Sequence, residues 1–192
     1  LFRSTVARRV RMIGGAILFL YVASHLLNHA LGLFSLQTME EGRFWFMEFW
    51  RLAPISGLLY ASLSAHLLLS LWAVYQRRRL LHMPRLEAVQ LILGLSIVPL
   101  LLFHVVSTQG AVREFDIDDT YTYVLLRLWY FAPEQAAWQA VAVIVAWVHG
   151  CMGLHFWLRL KFWYPAATPY LYGAAILIPV LGLLGFAETG RD

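Results

Sequence analysis

Five long stretches without a charged side chain constrain this chain more than any other feature. Each has 24 to 28 residues with no Asp, Glu, Lys or Arg, and the five are Met12–Met39, Leu52–Gln76, Ala88–Val112, Gln135–Leu158 and Phe162–Ala187. A helix needs about 20 apolar residues to cross the hydrocarbon layer of a bilayer, whereas a transmembrane β-strand is about half as long and alternates in polarity. The sequence therefore predicts an all-α, polytopic membrane protein with five transmembrane helices.

The composition agrees with this fold class, since 60% of the residues are hydrophobic and only 14% are charged, against about 25% charged in a soluble domain. We expect one transmembrane domain over residues 1–192, with spans near 12–37, 52–76, 88–110, 136–160 and 166–187. The aromatic segment Thr120–Phe131 is interrupted by Arg127 and is too short to span, which predicts an interfacial helix near 120–132. No internal repeat is evident in the sequence.

The charged residues alternate between the two ends of the predicted spans. Basic residues dominate before the first span, between the second and third, and after the fourth, while the other connections hold most of the acids. The positive-inside rule then predicts a cytoplasmic N-terminus. The net charge of +4 then reflects this distribution of basic residues across a lipid bilayer. We expect the bilayer, and no nucleic acid, as a partner.

Histidines are the most informative residues inside the predicted spans. Apart from His82 in a charged loop, they are His25 and His29 in the first span, His66 in the second, His104 in the third, and His149 and His155 in the fourth. Ionisable side chains are costly inside a bilayer and often mark a cofactor or a pathway. An interhelical hydrogen bond explains a single one of them, but four neighbouring helices that each supply a histidine favour a cofactor.

The depths of these histidines predict two facing pairs. His66 and His149 each lie 14 residues from the outer end of their uncharged stretch, and His104 lies 8 residues from its end. On the first span His29 is 10 residues deep and His25 is 14, so depth alone mildly favours His29 as the partner of His104. The pairs join non-consecutive helices, as diagonal positions of a four-helix bundle do. Two imidazoles facing each other suit the two axial positions of a haem, so the sequence predicts two bis-His haem b groups.

Other chemistry fits these residues less well. His25 and His29 form an H-x-x-x-H pair of the kind found in zinc and di-iron sites, but no carboxylate lies in any span to complete one. A proton relay also normally includes carboxylates, and Ser64 near His66 lacks the glycine-rich setting of an intramembrane serine protease.

The histidine-bearing segments resemble the dihaem anchor of succinate dehydrogenase and fumarate reductase. The similar segments are Ser24-His25-Leu26-Leu27-Asn28, Ala65-His66, Phe103-His104-Val105 and His149-Gly150-Cys151-Met152-Gly153-Leu154. This resemblance implies that His25 pairs with His104 and His66 with His149. It leaves His29 as a substitute ligand or a contact at the haem edge.

Three further segments are more similar to the membrane anchor of a group of bacterial class III adenylate cyclases. They are SHLLNHALGLFS (Ser24–Ser35), VHGCMGLHFWLRLKFWYP (Val148–Pro165) and LLGF (Leu183–Phe186). This resemblance implies a dihaem b sensor in the bacterial inner (plasma) membrane that responds to quinone or respiratory redox state. Its output would be a cytoplasmic cyclase domain on the same, longer chain, and we expect a homodimer. The 192 residues contain no catalytic residue of a cyclase.

Two alternatives remain open at this point. As a respiratory cytochrome b anchor, the chain would pass electrons between quinone and partner flavoprotein and iron–sulfur subunits; as a purely structural anchor, it would bind no haem. Five spans place Asp192 outside, so the cyclase interpretation predicts a further span beyond it. Ser107, Thr108 and Gln109 beside His104 are the candidate polar contacts for a quinone.

Overall fold

The computed structural model describes residues 2–77 and 83–191, and every regular element within those ranges is helical. His82 and the neighbouring Arg78 and Arg79 lie outside the described residues, as does Asp192. The α-helices are α1 (Phe2–Ala30), α2 (Leu36–Arg51), α3 (Ala53–Tyr75), α4 (Arg85–Val105), α5 (Ala111–Phe115), α6 (Tyr121–Leu126), α7 (Pro133–Leu158) and α8 (Tyr164–Thr189).

Five of these helices are long and apolar enough to cross a membrane, as the uncharged stretches predicted. Their spans are Thr5–Leu33, Ala53–Tyr75, Arg85–Thr108, Pro133–Leu158 and Tyr164–Thr189. Large apolar side chains such as Leu20, Ile92 and Ile176 are exposed on their surfaces, which a bilayer tolerates and water does not. The all-α, polytopic fold class is confirmed, and the chain is a multi-pass membrane protein.

The helices enclose a space rather than a filled core. Helix α1 packs on α3, α7 and α8, and α4 packs on α7, whereas α3 and α4 have no close packing along their described lengths. Helices α1, α3, α4 and α7 thus form a four-helix bundle that is open between α3 and α4, with α8 outside it against α1 and α7.

Glycines bring α8 into direct backbone contact with the end of α1. A Cβ atom at Gly182 would lie 2.9 Å from the carbonyl oxygen of Leu26, and one at Gly185 would overlap the carbonyl oxygen of His29. Gly32, just beyond α1, faces the backbone of Gly185 in return. Small residues permit this close approach, as they do between many transmembrane helices.

A charged and hydrogen-bonded cluster joins α2 to the segment that leads into α6. The carboxylate of Asp119 is buried and accepts from Arg51 at 2.6 Å and from Arg43 at 3.3 Å. Burial by itself lowers the pKa of Arg43, but its hydrogen bond and ion pair with Glu40 outweigh burial and raise that pKa. The side-chain amide of buried Asn28 on α1 donates to the hydroxyl of Tyr121 at 2.6 Å. We call the end of the bundle closed by this cluster the α2 end.

Two π-helical turns, Val106–Gly110 and Arg127–Phe131, interrupt the α-helical geometry at the α2 end. The second turn continues α6, so residues 121–131 are helical where an interfacial helix was predicted. The first turn begins two residues after His104 and was not predicted. Such turns occur often at functional sites, because one extra residue per turn redirects the side chains around it.

Candidate functional site

His66 on α3 and His149 on α7 face each other near the middle of the bundle. Their ring centres are 6.2 Å apart, and the two ring planes are nearly perpendicular at 86°. We call these residues the mid-bundle pair. Their helices do not pack on each other closely, so the two rings reach toward one another across open space.

A backbone carbonyl from a neighbouring helix orients each ring of the mid-bundle pair. The Nδ1 atom of His66 lies 2.9 Å from the carbonyl oxygen of Arg11, and that of His149 lies 3.1 Å from the carbonyl oxygen of Gln90. A carbonyl oxygen only accepts, so each Nδ1 carries the hydrogen and donates. In neutral imidazole this leaves the Nε2 lone pair free to bind a metal, and such a hydrogen bond also fixes the ring orientation of metal-bound histidines.

Glycine stands beside each ring of this pair. A Cβ atom at Gly15 on α1 would lie 2.9 Å from Cε1 of His66, and one at Gly94 on α4 would lie 2.7 Å from Cε1 of His149. Any larger residue would have to push the ring away from its present position. The absence of a side chain at both positions is therefore part of the site.

His25 on α1 and His104 on α4 form a second pair, nearer the α2 end. Their ring centres are 6.0 Å apart with an angle of 64° between the ring planes. The Nδ1 atom of His25 is buried and has no hydrogen-bond partner among the described residues. We call these residues the α2-end pair; its helices α1 and α4 lie diagonally across the bundle.

His29 lies beside the α2-end pair but faces other residues. Its ring centre is 4.4 Å from that of His25, and the ring stacks on Phe186 of α8 at 5.2 Å and meets the edge of Tyr121 at 5.4 Å. The structure thus places His25 opposite His104, as the resemblance implied, rather than His29, which depth counting favoured. His29 occupies the edge of the site.

The spacing within both pairs suits a metal ion held between two imidazoles. A metal–nitrogen bond of about 2 Å, with about 1 Å more from that nitrogen to the ring centre, places two axial ring centres about 6 Å apart. The observed separations of 6.0 and 6.2 Å match this value. Both pairs are edge-on to each other, and edge-to-face rings in direct contact lie about 4.5–7 Å apart, so the same spacing also suits two rings with nothing between them.

One continuous cavity of about 1,900 Å³ reaches both pairs. A pocket for a single small ligand is usually about 300–1,000 Å³, so this cavity has room for two large groups. All four paired histidines line it, together with the small residues Ser70, Ala146 and Gly153. Its walls are otherwise mainly apolar, and charged side chains such as Arg8, Arg51 and Glu87 also line it. The residues present therefore fit a bulky apolar macrocycle at each level.

The predicted polar contacts for a quinone are already used locally. The hydroxyl groups of Ser107 and Thr108 donate to the carbonyl oxygen of His104 at 3.2 and 2.8 Å. Both hydroxyls bond a carbonyl three or four residues earlier in the chain, as Ser and Thr often do in helices, and the side chain of Gln109 lies outside the described residues. Neither hydroxyl proton is free for a ligand in this arrangement.

His155 stands apart from both pairs. Its Nδ1 atom is 2.8 Å from the hydroxyl of Tyr164 at the start of α8, and the ring does not line the large cavity. This contact joins the adjacent ends of α7 and α8, so His155 has a structural role.

Several features of the site were not evident from the sequence. The carbonyls of Arg11 and Gln90 are backbone atoms, which carry no signal of their own in a sequence. Gly15 and Gly94 offered a weak signal, because each lies ten residues before a paired histidine. Within residues 2–77 and 83–191 no three His, Cys, Asp or Glu side chains gather as a metal site, so any metal held by these pairs would need further ligands of its own.

Comparison of the chain with family models, with characterised proteins and with solved structures finds no match.

Proposed function

We propose that this multi-pass membrane protein is an anchor domain that binds two haem b groups, one between His25 and His104 and one between His66 and His149. The observation that carries the proposal is the separation of about 6 Å between the rings of both pairs, at two levels of one cavity. Haem bound by two histidines supplies one-electron redox chemistry.

The residues of the chain have distinct roles in this proposal. The carbonyls of Arg11 and Gln90 hold the Nδ1 hydrogens of the mid-bundle pair, so Nε2 of each ring faces the cavity. Hydrogen bonds to the outer nitrogen of a ligand histidine raise its basicity. The α2-end pair differs, because Nδ1 of His25 has no such partner among the described residues. We therefore expect the two sites to have different reduction potentials.

The finer proposal is that this domain senses quinone or respiratory redox state and controls a cytoplasmic adenylate cyclase domain. Its support is the resemblance of Ser24–Ser35, Val148–Pro165 and Leu183–Phe186 to the anchors of such cyclases. The same paired histidines suit the alternative, a cytochrome b anchor that exchanges electrons between quinone and flavoprotein and iron–sulfur subunits.

A structural anchor without haem is favoured by a different observation. The hydrogen bonds from His66 to Arg11 and from His149 to Gln90 each join two helices, and interhelical hydrogen bonds stabilise membrane bundles by about 0.6 kcal/mol each on average. Histidines kept only for this purpose would leave the protein colourless.

Haem content and spectrum of the purified chain distinguish these functions. We expect two haem b per chain, one in His66→Ala, and one in His104→Ala, with different remaining spectra in the two variants. His155→Ala is the matched control and keeps both, because His155 lies outside the cavity. His29→Ala also keeps both if His25 is the ligand. A colourless wild-type protein would refute the haem proposal and leave the structural anchor.

The orientation is proposed from charge, with the N-terminus in the bacterial cytoplasm. A cysteine placed at exposed Phe115, in a chain carrying Cys151→Ala, then reacts with a membrane-impermeant maleimide in spheroplasts, which lack the outer membrane. Exposed Gln76 follows the last residue of α3, at the end of the bundle opposite the α2 end, and gives the matched inner position. Labelling at position 76 but not 115 would reverse the orientation.

A further inference from the structure

On α1 and on α4, the same number of residues separates the carbonyl that orients a mid-bundle ring from the histidine of the α2-end pair. On α1 the carbonyl that orients His66 belongs to Arg11, which stands fourteen residues before His25. On α4 the carbonyl that orients His149 belongs to Gln90, which stands fourteen residues before His104. Each helix thus supplies one ligand of the α2-end pair and orients one ring of the mid-bundle pair.

The two glycines beside the mid-bundle rings also lie at matching positions on α1 and α4. Gly15 lies ten residues before His25 and faces Cε1 of His66, while Gly94 lies ten residues before His104 and faces Cε1 of His149. The two hypothetical Cβ atoms come within 2.9 and 2.7 Å of those ring carbons. Four independent positions, namely carbonyl, glycine and two histidines, therefore recur in matching geometry.

We infer that the four-helix bundle is built from two copies of one two-helix unit, α1 with α3 and α4 with α7, related by a pseudo-twofold axis along the bundle. Each histidine pair then joins equivalent residues, His25 with His104 and His66 with His149, so both sites lie on that axis. Gly15 and Gly94 are equivalent positioning residues for the mid-bundle site.

The sequence conceals this repeat. Over the fifteen residues from Arg11 and from Gln90 to the respective histidine, only Ile13/Ile92, Gly15/Gly94 and His25/His104 are identical. Lipid-facing positions accept any apolar residue, because lipid and leucine side chains are equally apolar. Of the three identities, Gly15/Gly94 and His25/His104 have a geometric role, whereas Ile13 and Ile92 are exposed side chains.

The two units differ where they meet, since α1 packs on α7 but the equivalent helices α4 and α3 do not pack closely over the residues that the structure describes. Gly150 on α7 receives the ring of Phe19 from α1, so these helices approach closely. The equivalent residues are Leu67 on α3 and Val98 on α4. Both side chains line the cavity, and neither is a glycine that would admit an aromatic ring from the facing helix.

This inference rests on the proposed function, and variants of the two glycines test it in the full chain. We expect Gly15→Ala and Gly94→Ala each to lower the haem content from two to one, by displacing His66 or His149. In both variants the remaining haem has the spectrum and midpoint potential of the haem that His66→Ala retains. The double variant also binds one haem, because both changes act on the same site. Gly57→Ala on α3 is the control, since a Cβ atom there meets nothing within 4 Å.

Two results would overturn the inference while the proposed function stands. One is that the glycine variants lose different haems, or that only one of them loses any; the other is that the double variant binds none. If the wild-type chain binds no haem, the proposed function fails, and unfolding temperature then decides the inference. Equal decreases in Gly15→Ala and Gly94→Ala support equivalent positions, and unequal decreases contradict them.

Discussion

Replacement of Gly185 by alanine tests the packing that sets the position of α1. The added Cβ atom would overlap the carbonyl oxygen of His29 and lie 3.1 Å from Cα of Ala30. Both are backbone atoms, so they cannot rotate away as a side chain would. The substitution therefore forces α1 and α8 apart at this contact.

The expected cost follows from two opposing effects. Overpacking of a well-packed contact costs about 1–3 kcal/mol, while alanine in place of glycine inside a helix recovers about 0.5–1 kcal/mol. Because backbone lies on both sides of this contact, we expect a net loss of about 1–2 kcal/mol, which lowers the unfolding temperature by about 2–8 °C.

Gly173 on the same helix provides the matched control. A Cβ atom there meets nothing within 4 Å, so Gly173→Ala changes helix propensity alone. We expect its unfolding temperature to equal or exceed that of the wild type, which makes the two substitutions opposite in sign.

The lone cysteine of the chain gives a convenient assay. Cys151 lies partly buried in α7, and a fluorogenic maleimide in detergent reports its exposure as the protein is heated. An unfolding temperature for Gly185→Ala at or above that of the wild type would show that α8 does not contact the backbone of α1 here. An equal decrease in Gly173→Ala would assign the effect to helix geometry rather than to packing.

Three further predictions concern contacts at the ends and sides of the bundle. Asp119→Asn removes the charged partner of Arg51. Because this arginine is partly exposed, we expect the free energy of unfolding to fall by only about 1–3 kcal/mol. The same thiol-reactivity scan measures it, and an unchanged unfolding temperature would contradict it. Trp147→Phe deletes the 2.7 Å hydrogen bond from its indole to the carbonyl oxygen of Ala175 and should cost about 0.5–1.5 kcal/mol in that scan, unlike Trp45→Phe on an exposed surface. Burial raises the pKa of Tyr121, so the folded state keeps its phenol proton longer than the unfolded state does, and stability falls as pH rises above about 10. When the pH is raised from below to above that value, the unfolding temperature should fall less in Tyr121→Phe than in the wild type.

The spans and the histidine levels could be read from the sequence because the bilayer imposes simple demands. A helix in lipid satisfies its own backbone hydrogen bonds and excludes charge over about 20 residues, whatever its neighbours are. The five uncharged stretches therefore gave the helices, and residue counts along them gave approximate levels for His66 and His149. Counting failed to distinguish His25 from His29, which are one helical turn apart.

The rotation and shift of each helix were not available from the sequence. His25 and His29 share a face of α1, since residues four apart in a helix lie one above the other. Which of them meets His104 depends on the height at which α1 is held by its contacts with α3, α7 and α8, including that of Gly185 with the backbone of His29. No local pattern within α1 contains this information.

The sequence by itself determined that this chain crosses a membrane five times and carries histidines on four neighbouring helices. The tertiary structure decided that His25 rather than His29 faces His104, that carbonyls of Arg11 and Gln90 orient the other pair, and that α3 and α4 stay apart. The physical reason is one of range. Exclusion of charge from lipid acts on each helix separately, whereas ring-to-ring distances of 6 Å arise only when several helices fix one another's height and rotation.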